Sequence, residues 1–273
     1  MNTLRLIWGI VAVPLGIAVF AWLVLTLAAP WLARRLMFHP PSEAPPGPSG
    51  ARELKMRAGD IVAVLHLPNP QARFTLWYFH GNAETLGTCE GWLRELHRAG
   101  FAVFAAEYPG YGLSSGQPSE ESLYAANRVA RDYLRNELRV PAAQTILYGN
   151  SLGGGPAVQA ATEEKVAGLV LQAAFMSAYR VKTHWPLVPF DQFKNLAKLP
   201  VLRCPVLVMH GRDDDVIPFS HGVALHDAVR GPRRHLWVER AGHNNFVNVA
   251  GESYWRALRE FADLCARPNA AAP

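Results

Sequence analysis

Cysteine is scarce in this chain: Cys89, Cys204 and Cys265 stand far apart, with no CxxC spacing. That excludes a disulfide framework and a structural zinc site, and the three thiols read as small buried hydrophobic groups. Charge is also scarce. Only 18% of residues are Asp, Glu, Lys or Arg against 50% hydrophobic, so the chain is not a disordered one. The positive charge behind the net +5 is spread mostly over isolated arginines, with no long Lys/Arg run and no basic patch interleaved with aromatics. No nucleic-acid partner is expected; attraction to an anionic membrane surface is the simpler use of the charge. There is no internal repeat, and 273 residues suit one large α/β domain with a well-buried core.

What is present first is a run without charge from Leu6 to Ala29. As a helix it would be about 36 Å long, enough for a hydrocarbon core of about 30 Å with some tilt. Trp8, Trp22 and Trp31 include two near the ends, where aromatic belts sit, and Pro14 and Gly16 are tolerated in membrane helices. A cleaved signal peptide is the rival reading, but the run exceeds the roughly 7–15 apolar residues of a signal sequence. Residues 1–39 are therefore expected to be a single-pass membrane anchor with its juxtamembrane segment. Residues 40–50, Pro-Pro-Ser-Glu-Ala-Pro-Pro-Gly-Pro-Ser-Gly, read as a stiff, solvated linker. A globular domain then spans 51–267, and 268–273 form a tail. Arg34, Arg35, Arg52 and Lys55 follow the run and Arg5 precedes it, which leans the domain towards the cytoplasmic side.

The domain alternates strand-like and helix-like stretches. Ile61–Leu67, Phe74–Phe79, Phe101–Glu107, Thr145–Tyr148, Val166–Leu171, Val206–Met209 and His235–Glu239 read as short strands, several of them apolar throughout. Thr85–Ala99, Glu120–Leu138 and stretches near 152–164, 219–229 and 252–265 read as helices. This pattern predicts an α/β fold with a mostly parallel sheet covered by helices on both faces.

Gly149-Asn150-Ser151-Leu152-Gly153 is a G-x-S-x-G pattern between a strand-like and a helix-like stretch. A sharp strand-to-helix turn pushes the serine hydroxyl out at the sheet edge and needs small neighbours. A hydroxyl is a weak nucleophile until a base takes its proton. His243, on a loop beyond a predicted strand, is the candidate base; His221, His226 and His235 fall within helices or strands, and His184 is a weaker competitor. The acid belongs after the preceding strand, where Asp213, Asp214 and Asp215 stand together; pattern does not choose among them. The oxyanion of an acyl-transfer transition state needs backbone donors, and the N–H groups of Leu152 and Asn82 are the candidates. Asn82 lies in Phe79-His80-Gly81-Asn82-Ala83, where a strand ends and a helix begins; His80 reads as a buried residue ordering that turn.

Four stretches together carry a family resemblance: His80–Ala83, Glu107-Tyr-Pro-Gly-Tyr-Gly-Leu-Ser114, Gly149–Gly154, and His210-Gly-Arg-Asp-Asp-Asp-Val-Ile-Pro218 with Gly242-His243. The chain resembles the α/β-hydrolase superfamily over roughly residues 50–265. Within it, the likeness is to the membrane-anchored branch that includes α/β-hydrolase-domain-containing proteins 13 and 17 and their bacterial relatives, often grouped with serine aminopeptidase-like hydrolases. The resemblance implies a Ser151, Asp214 and His243 triad, since the family's acid stands three residues after the glycine matching Gly211. It also supports the Asn82 and Leu152 amides as oxyanion donors. Glu107 is a departure, because relatives commonly carry aspartate there. A short cap over about 174–203 would supply the acyl pocket through Phe175, Tyr179, Trp185 and Phe190.

The expected activity is hydrolysis of acyl esters or thioesters through an acyl-enzyme, with no cofactor and no metal. The substrate would be a small or lipid-like acyl compound or an acylated protein. A serine aminopeptidase or amidase is the enzymatic alternative, and a non-catalytic membrane-bound interaction protein the alternative outside enzymes. An epoxide or halide hydrolase would need aspartate where Ser151 stands.

Overall fold

A computed structural model describes residues 13–24, 26–27, 37–43, 45–57, 59–181 and 191–267. Eight strands form one sheet in the order β1-β2-β4-β3-β5-β6-β7-β8. The six from β4 to β8 run parallel: β4 Ala102–Ala106, β3 Thr75–Phe79, β5 Thr145–Asn150, β6 Gly168–Gln172, β7 Val206–Gly211 and β8 Arg233–Val238. β2 (Ile61–Leu67) and β1 (Arg52–Lys55) extend the β4 edge antiparallel. β1 has the sequence RELK and gives no sign of a strand in isolation. Pairing with β2 makes it one, with Leu54 opposite Val62.

The central strands are buried on both faces, which is why they read as apolar runs. Side chains alternate across the sheet. Leu76 and Tyr78 of β3 enter one core cluster with Leu93 and Leu96 of α2 (Leu86–Arg98) and Tyr254 and Leu258 of α8 (Glu252–Cys265). Trp77 and Phe79 enter the other. Their partners there are Ala126, Ala130 and Leu134 of α3 (Glu120–Asn136), Ala157 and Val158 of α4 (Gly154–Glu163), and Leu225 of α6 (Phe219–Ala228), with Leu196 of α5 (Asn195–Lys198) packed against them. Each fully buried Leu or Phe contributes about 1.5–3 kcal/mol, so these two clusters dominate the stability. Capping boxes open α2 at Thr85 and α3 at Ser119.

A third cluster lies over neither face. It joins Tyr108 and Tyr111 after β4, Leu152 after β5, Phe175 after β6 and Ile217 after β7, with Phe193 of the cap and Phe38 from the N-terminal segment. Every strand loop in it leaves a C-terminal strand end, the edge where parallel sheets place their chemistry.

Phe38 changes the expected domain boundary. Phe38 belongs to the segment expected at 1–39 to be anchor and juxtamembrane chain, yet it is 5% exposed in the third cluster; the described residues of 40–50 are mostly exposed, with Pro48 buried. The globular unit therefore takes in chain from Met37 onwards. Residues 13–24 (α1) and 26–27 are helical and leave Leu15, Ile17, Phe20 and Leu27 exposed. No helix among the described residues is long and apolar enough to cross a membrane. The rest of the 6–29 run, with Trp8, and Trp31, Arg34 and Arg35 beyond it, lies outside the described residues, as does the 268–273 tail.

Candidate active site

The site is built on the β5–α4 turn. Ser151 has φ of 51°, a left-handed conformation that costs a non-glycine residue energy and occurs where the surroundings enforce it. The glycines around it answer to backbone. A Cβ on Gly149 would fall 2.7 Å from the Gly153 oxygen, and one on Gly153 would fall 2.0 Å from the Phe79 oxygen. Only glycine lets β5, α4 and the end of β3 approach so closely.

His243 comes from the loop between β8 and α7 (Phe246–Ala250), held by the Gly242 N–H donating to Asn245 Oδ1 at 2.7 Å. Its Nε2 lies 3.0 Å from Ser151 Oγ, and its Nδ1 lies 2.9 Å from Asp214 Oδ2. With the Nδ1 proton donated to the carboxylate, Nε2 is free to accept from the serine hydroxyl. The structure brings Asp214, and neither exposed neighbour, to His243. Backbone geometry makes the difference: Asp214 Oδ1 accepts the N–H groups of Val216 at 3.0 Å and Ile217 at 2.8 Å.

His210, on β7, completes the acid's surroundings. Its Nε2 is 3.2 Å from Asp214 Oδ2 and 2.9 Å from the Ile217 oxygen. Burial alone would raise the Asp214 carboxyl. Hydrogen bonds from His210, His243 and the Ile217 N–H outweigh it and hold the group well below the usual carboxylate range. His210 was not singled out in the sequence, although it stands just before Gly211 in a stretch that was.

The turn after β3 abuts the elbow. His80 is fully buried, stacks 3.9 Å from Tyr108, and burial pushes its imidazole down to about 4, so it is neutral. Tyr108 Oη donates to the His80 oxygen at 2.8 Å. The Gly81 N–H donates to Glu84, whose carboxyl is raised by burial in spite of that bond and one with Asn150. The expected Cβ of Gly153 would lie 2.8 Å from the His80 oxygen, so this turn and the elbow touch through backbone. Leu152 follows Ser151 directly, and Asn82 sits in the abutting turn.

Among the pocket candidates, Phe175 is 4% exposed in the third cluster beside Leu152. Tyr179 is half-buried, and its N–H donates to Asp191 Oδ1 at 3.0 Å. Trp185 and Phe190 lie outside the described residues, as does His184. Phe193 and Phe38 were not foreseen. Phe193 packs edge-on against both Phe175 and Phe38, with centroids 6.3 Å apart in each pair. A Cβ on Gly155 would meet the Phe193 ring at 2.3 Å, so the cap sits directly on the first turn of α4. His221 is also structural: its Nδ1 accepts the Met176 N–H at 3.1 Å, and burial pushes the ring down to about 4. Among the described residues no group of His, Cys, Asp or Glu could hold a metal ion.

A family described as alpha/beta hydrolase fold matches residues 75–199. The alpha/beta hydrolase domain-containing protein aho-3 of Caenorhabditis elegans is 40% identical over 214 residues, 76% of this chain and 63% of that protein. Protein 17B of Xenopus tropicalis is 38% identical over 212 residues, covering 75% of this chain and 72% of its own length. Among solved structures, the Pyrococcus furiosus esterase Pf2001 aligns with a TM-score of 0.69 at 15% identity, over 83% of this chain and 98% of that one. The Rhodococcus esterase RhEst1 aligns with a TM-score of 0.61 at 19% identity, over 78% and 98%. At such identities the structural likeness speaks for the fold alone.

Proposed function

The chain belongs to the α/β-hydrolase family, and from that premise we propose that it is a membrane-anchored serine hydrolase of acyl esters or thioesters. Family membership supports hydrolase chemistry; the serine mechanism, the acyl substrate and the anchor go beyond it. The observation that carries the reading is one line of contacts: Ser151 Oγ to His243 Nε2 at 3.0 Å, and His243 Nδ1 to Asp214 at 2.9 Å. It starts at a serine in a left-handed elbow.

In this reading Ser151 Oγ attacks the acyl carbonyl carbon, and its proton passes to His243 Nε2. Asp214 accepts the Nδ1–H and stabilises the imidazolium without taking the proton. The Asn82 and Leu152 amides receive the oxyanion. Collapse expels an alcohol or thiol that takes the proton from His243. Water then attacks the acyl-enzyme, its proton passing through His243 back to Ser151, and the carboxylic acid leaves.

The third cluster, with Leu152, Phe175 and Phe193, gathers apolar side chains from the loops at the sheet edge that carries Ser151, which suits an acyl chain. Residues 6–29 are the anchor, with the catalytic unit on the cytoplasmic side. A lipid-like acyl compound or an acylated protein is the matching substrate class.

A fluorophosphonate probe tests the proposal. Wild-type protein is expected to be labelled and Ser151→Ala is not. Folded wild-type protein that resists the probe would sink the reading. A panel of p-nitrophenyl esters, acyl-CoA thioesters and aminoacyl amides then identifies the bond cleaved, and preferential amide hydrolysis would replace the esterase reading by an amidase one.

A further inference from the structure

Asn82 has a side chain that the proposed chemistry does not use, and it is tied down at three points. Its Oδ1 accepts the His39 N–H at 3.0 Å and the Tyr111 hydroxyl at 2.8 Å, and its Nδ2 donates to the Met37 oxygen at 2.5 Å. Two of the three partners come from the N-terminal segment, far from Asn82 in the chain. Between them Phe38 turns inward, 5% exposed, into the cluster that contains Leu152 and Phe193. The segment continues across the start of α2, where a Cβ on Gly87 would lie 2.9 Å from the Pro45 oxygen and 2.8 Å from the Pro46 oxygen. It also packs on the 108–114 turn, since a Cβ on Gly47 would strike the Leu113 side chain.

We infer that Met37–Phe38–His39 is a strap that positions the oxyanion turn, gripping Asn82 by its side chain and backing Leu152 through Phe38. The inference rests on the oxyanion role proposed for the Asn82 and Leu152 amides. Asn82 is then held directly by two of the three residues, and Leu152 shares the cluster that the third fills. A donor amide is useful in proportion to how little it reorients when charge develops, so fixing the side chain of residue 82 fixes the peptide that carries its N–H. Phe38 supplies the apolar half of the grip: it is held by Phe193, which itself rests on the first turn of α4. Met37, Phe38, His39 and Tyr111 are positioning residues; they do not touch the reacting atoms.

The test uses the full chain in detergent. Asn82→Ala keeps the residue-82 amide and removes all three side-chain bonds. Its kcat for p-nitrophenyl butyrate is expected to fall about 10- to 100-fold with KM within about twofold of wild type. Phe38→Ala is expected to lower kcat in the same manner, and Phe38→Leu to recover most of it by refilling the cluster. Amide hydrogen exchange is read alongside, because it does not depend on turnover. Exchange over residues 79–84 is expected to quicken at least about tenfold in Phe38→Ala while β5 is unchanged. Wild-type kcat in Asn82→Ala, or unchanged exchange over 79–84 in Phe38→Ala, overturns the strap. Quickened exchange in a chain whose wild type neither hydrolyses esters nor takes the probe supports the strap's grip and removes the hydrolase reading instead.

Discussion

Glu107 brings a carboxyl into the interior, 1% exposed, where it accepts the Leu86 N–H at 2.9 Å. Burial pushes it up to about 7, ahead of the hydrogen bonds that work to lower it. The folded group therefore stays protonated while the unfolded chain ionises above about pH 4.5. Stability from this group is present below that pH and is lost as pH rises towards 7, by at most about 3 kcal/mol. Glu107→Gln keeps an acceptor for Leu86 and cannot ionise. Denaturant melts at pH 5 and pH 8 are expected to show a smaller loss of stability for the variant than for wild type; equal losses would mean Glu107 ionises freely in the fold. Asp214 has the opposite sign. Its depressed carboxyl stabilises the fold above about pH 4 and that contribution is lost on acidification. Asp214→Asn should keep the Val216 and Ile217 bonds yet favour the wrong His243 tautomer, lowering kcat by up to about 10⁴-fold in steady-state assays. A variant within tenfold of wild type would place the acid elsewhere.

Ser151 and His243 stood out in the sequence because short neighbouring stretches define their surroundings. Asp214 did not separate from Asp213 and Asp215 by pattern. Three consecutive carboxylates differ only once the backbone turns two amides, those of Val216 and Ile217, onto one of them. Phe38 and Phe193 left no local sign at all, since each is defined by the other across the folded molecule.

Elements with a local cause were legible and elements with a distant cause were not. The strands buried on both faces announced themselves as apolar runs, and α2 and α3 through their helical spacing; the capping boxes at Thr85 and Ser119 are local too. β1 and α7 were missed: β1 depends on a partner strand, and α7 is a helix of five residues, too short to show a period. The elbow makes a sharper prediction. Gly153→Ala forces a methyl against the Phe79 backbone oxygen, which cannot move without shifting β3 and the turn after it together. Gly155→Ala meets the Phe193 side chain from its ring to its Cβ, at 2.3–3.1 Å, with no backbone atom among its nearest contacts. Thermal melts are expected to show Gly155→Ala losing about 1–2 kcal/mol and Gly153→Ala losing more than about 3 kcal/mol or failing to fold. Similar losses in both would argue that the backbone here is softer than the contacts imply.

At the scale of the whole molecule, the strap and the proposed anchor act on the same site. Only about ten residues separate Leu27 from Met37, at most about 35 Å of extended chain, so Ser151 stays close to whatever surface holds the anchor. An acyl chain embedded in that surface then meets the site at high local concentration, while a soluble ester gains nothing from the tether. The two substrates should therefore part company when the anchor is weakened. Leu15→Arg with Val19→Arg puts two charges where the described helix is exposed and apolar, at about 2.5–3.5 kcal/mol each in a membrane. The wild type is expected to stay with membranes through an alkaline carbonate wash and the double variant to be released. The variant's kcat on a soluble p-nitrophenyl ester should match wild type, and its rate on a long-chain thioester in vesicles should fall at least about tenfold. A wild-type chain that washes off membranes would remove the anchor. Equal losses on both substrates would mean that the charges damage the fold, and that proximity to the membrane is not what the N-terminal helix provides.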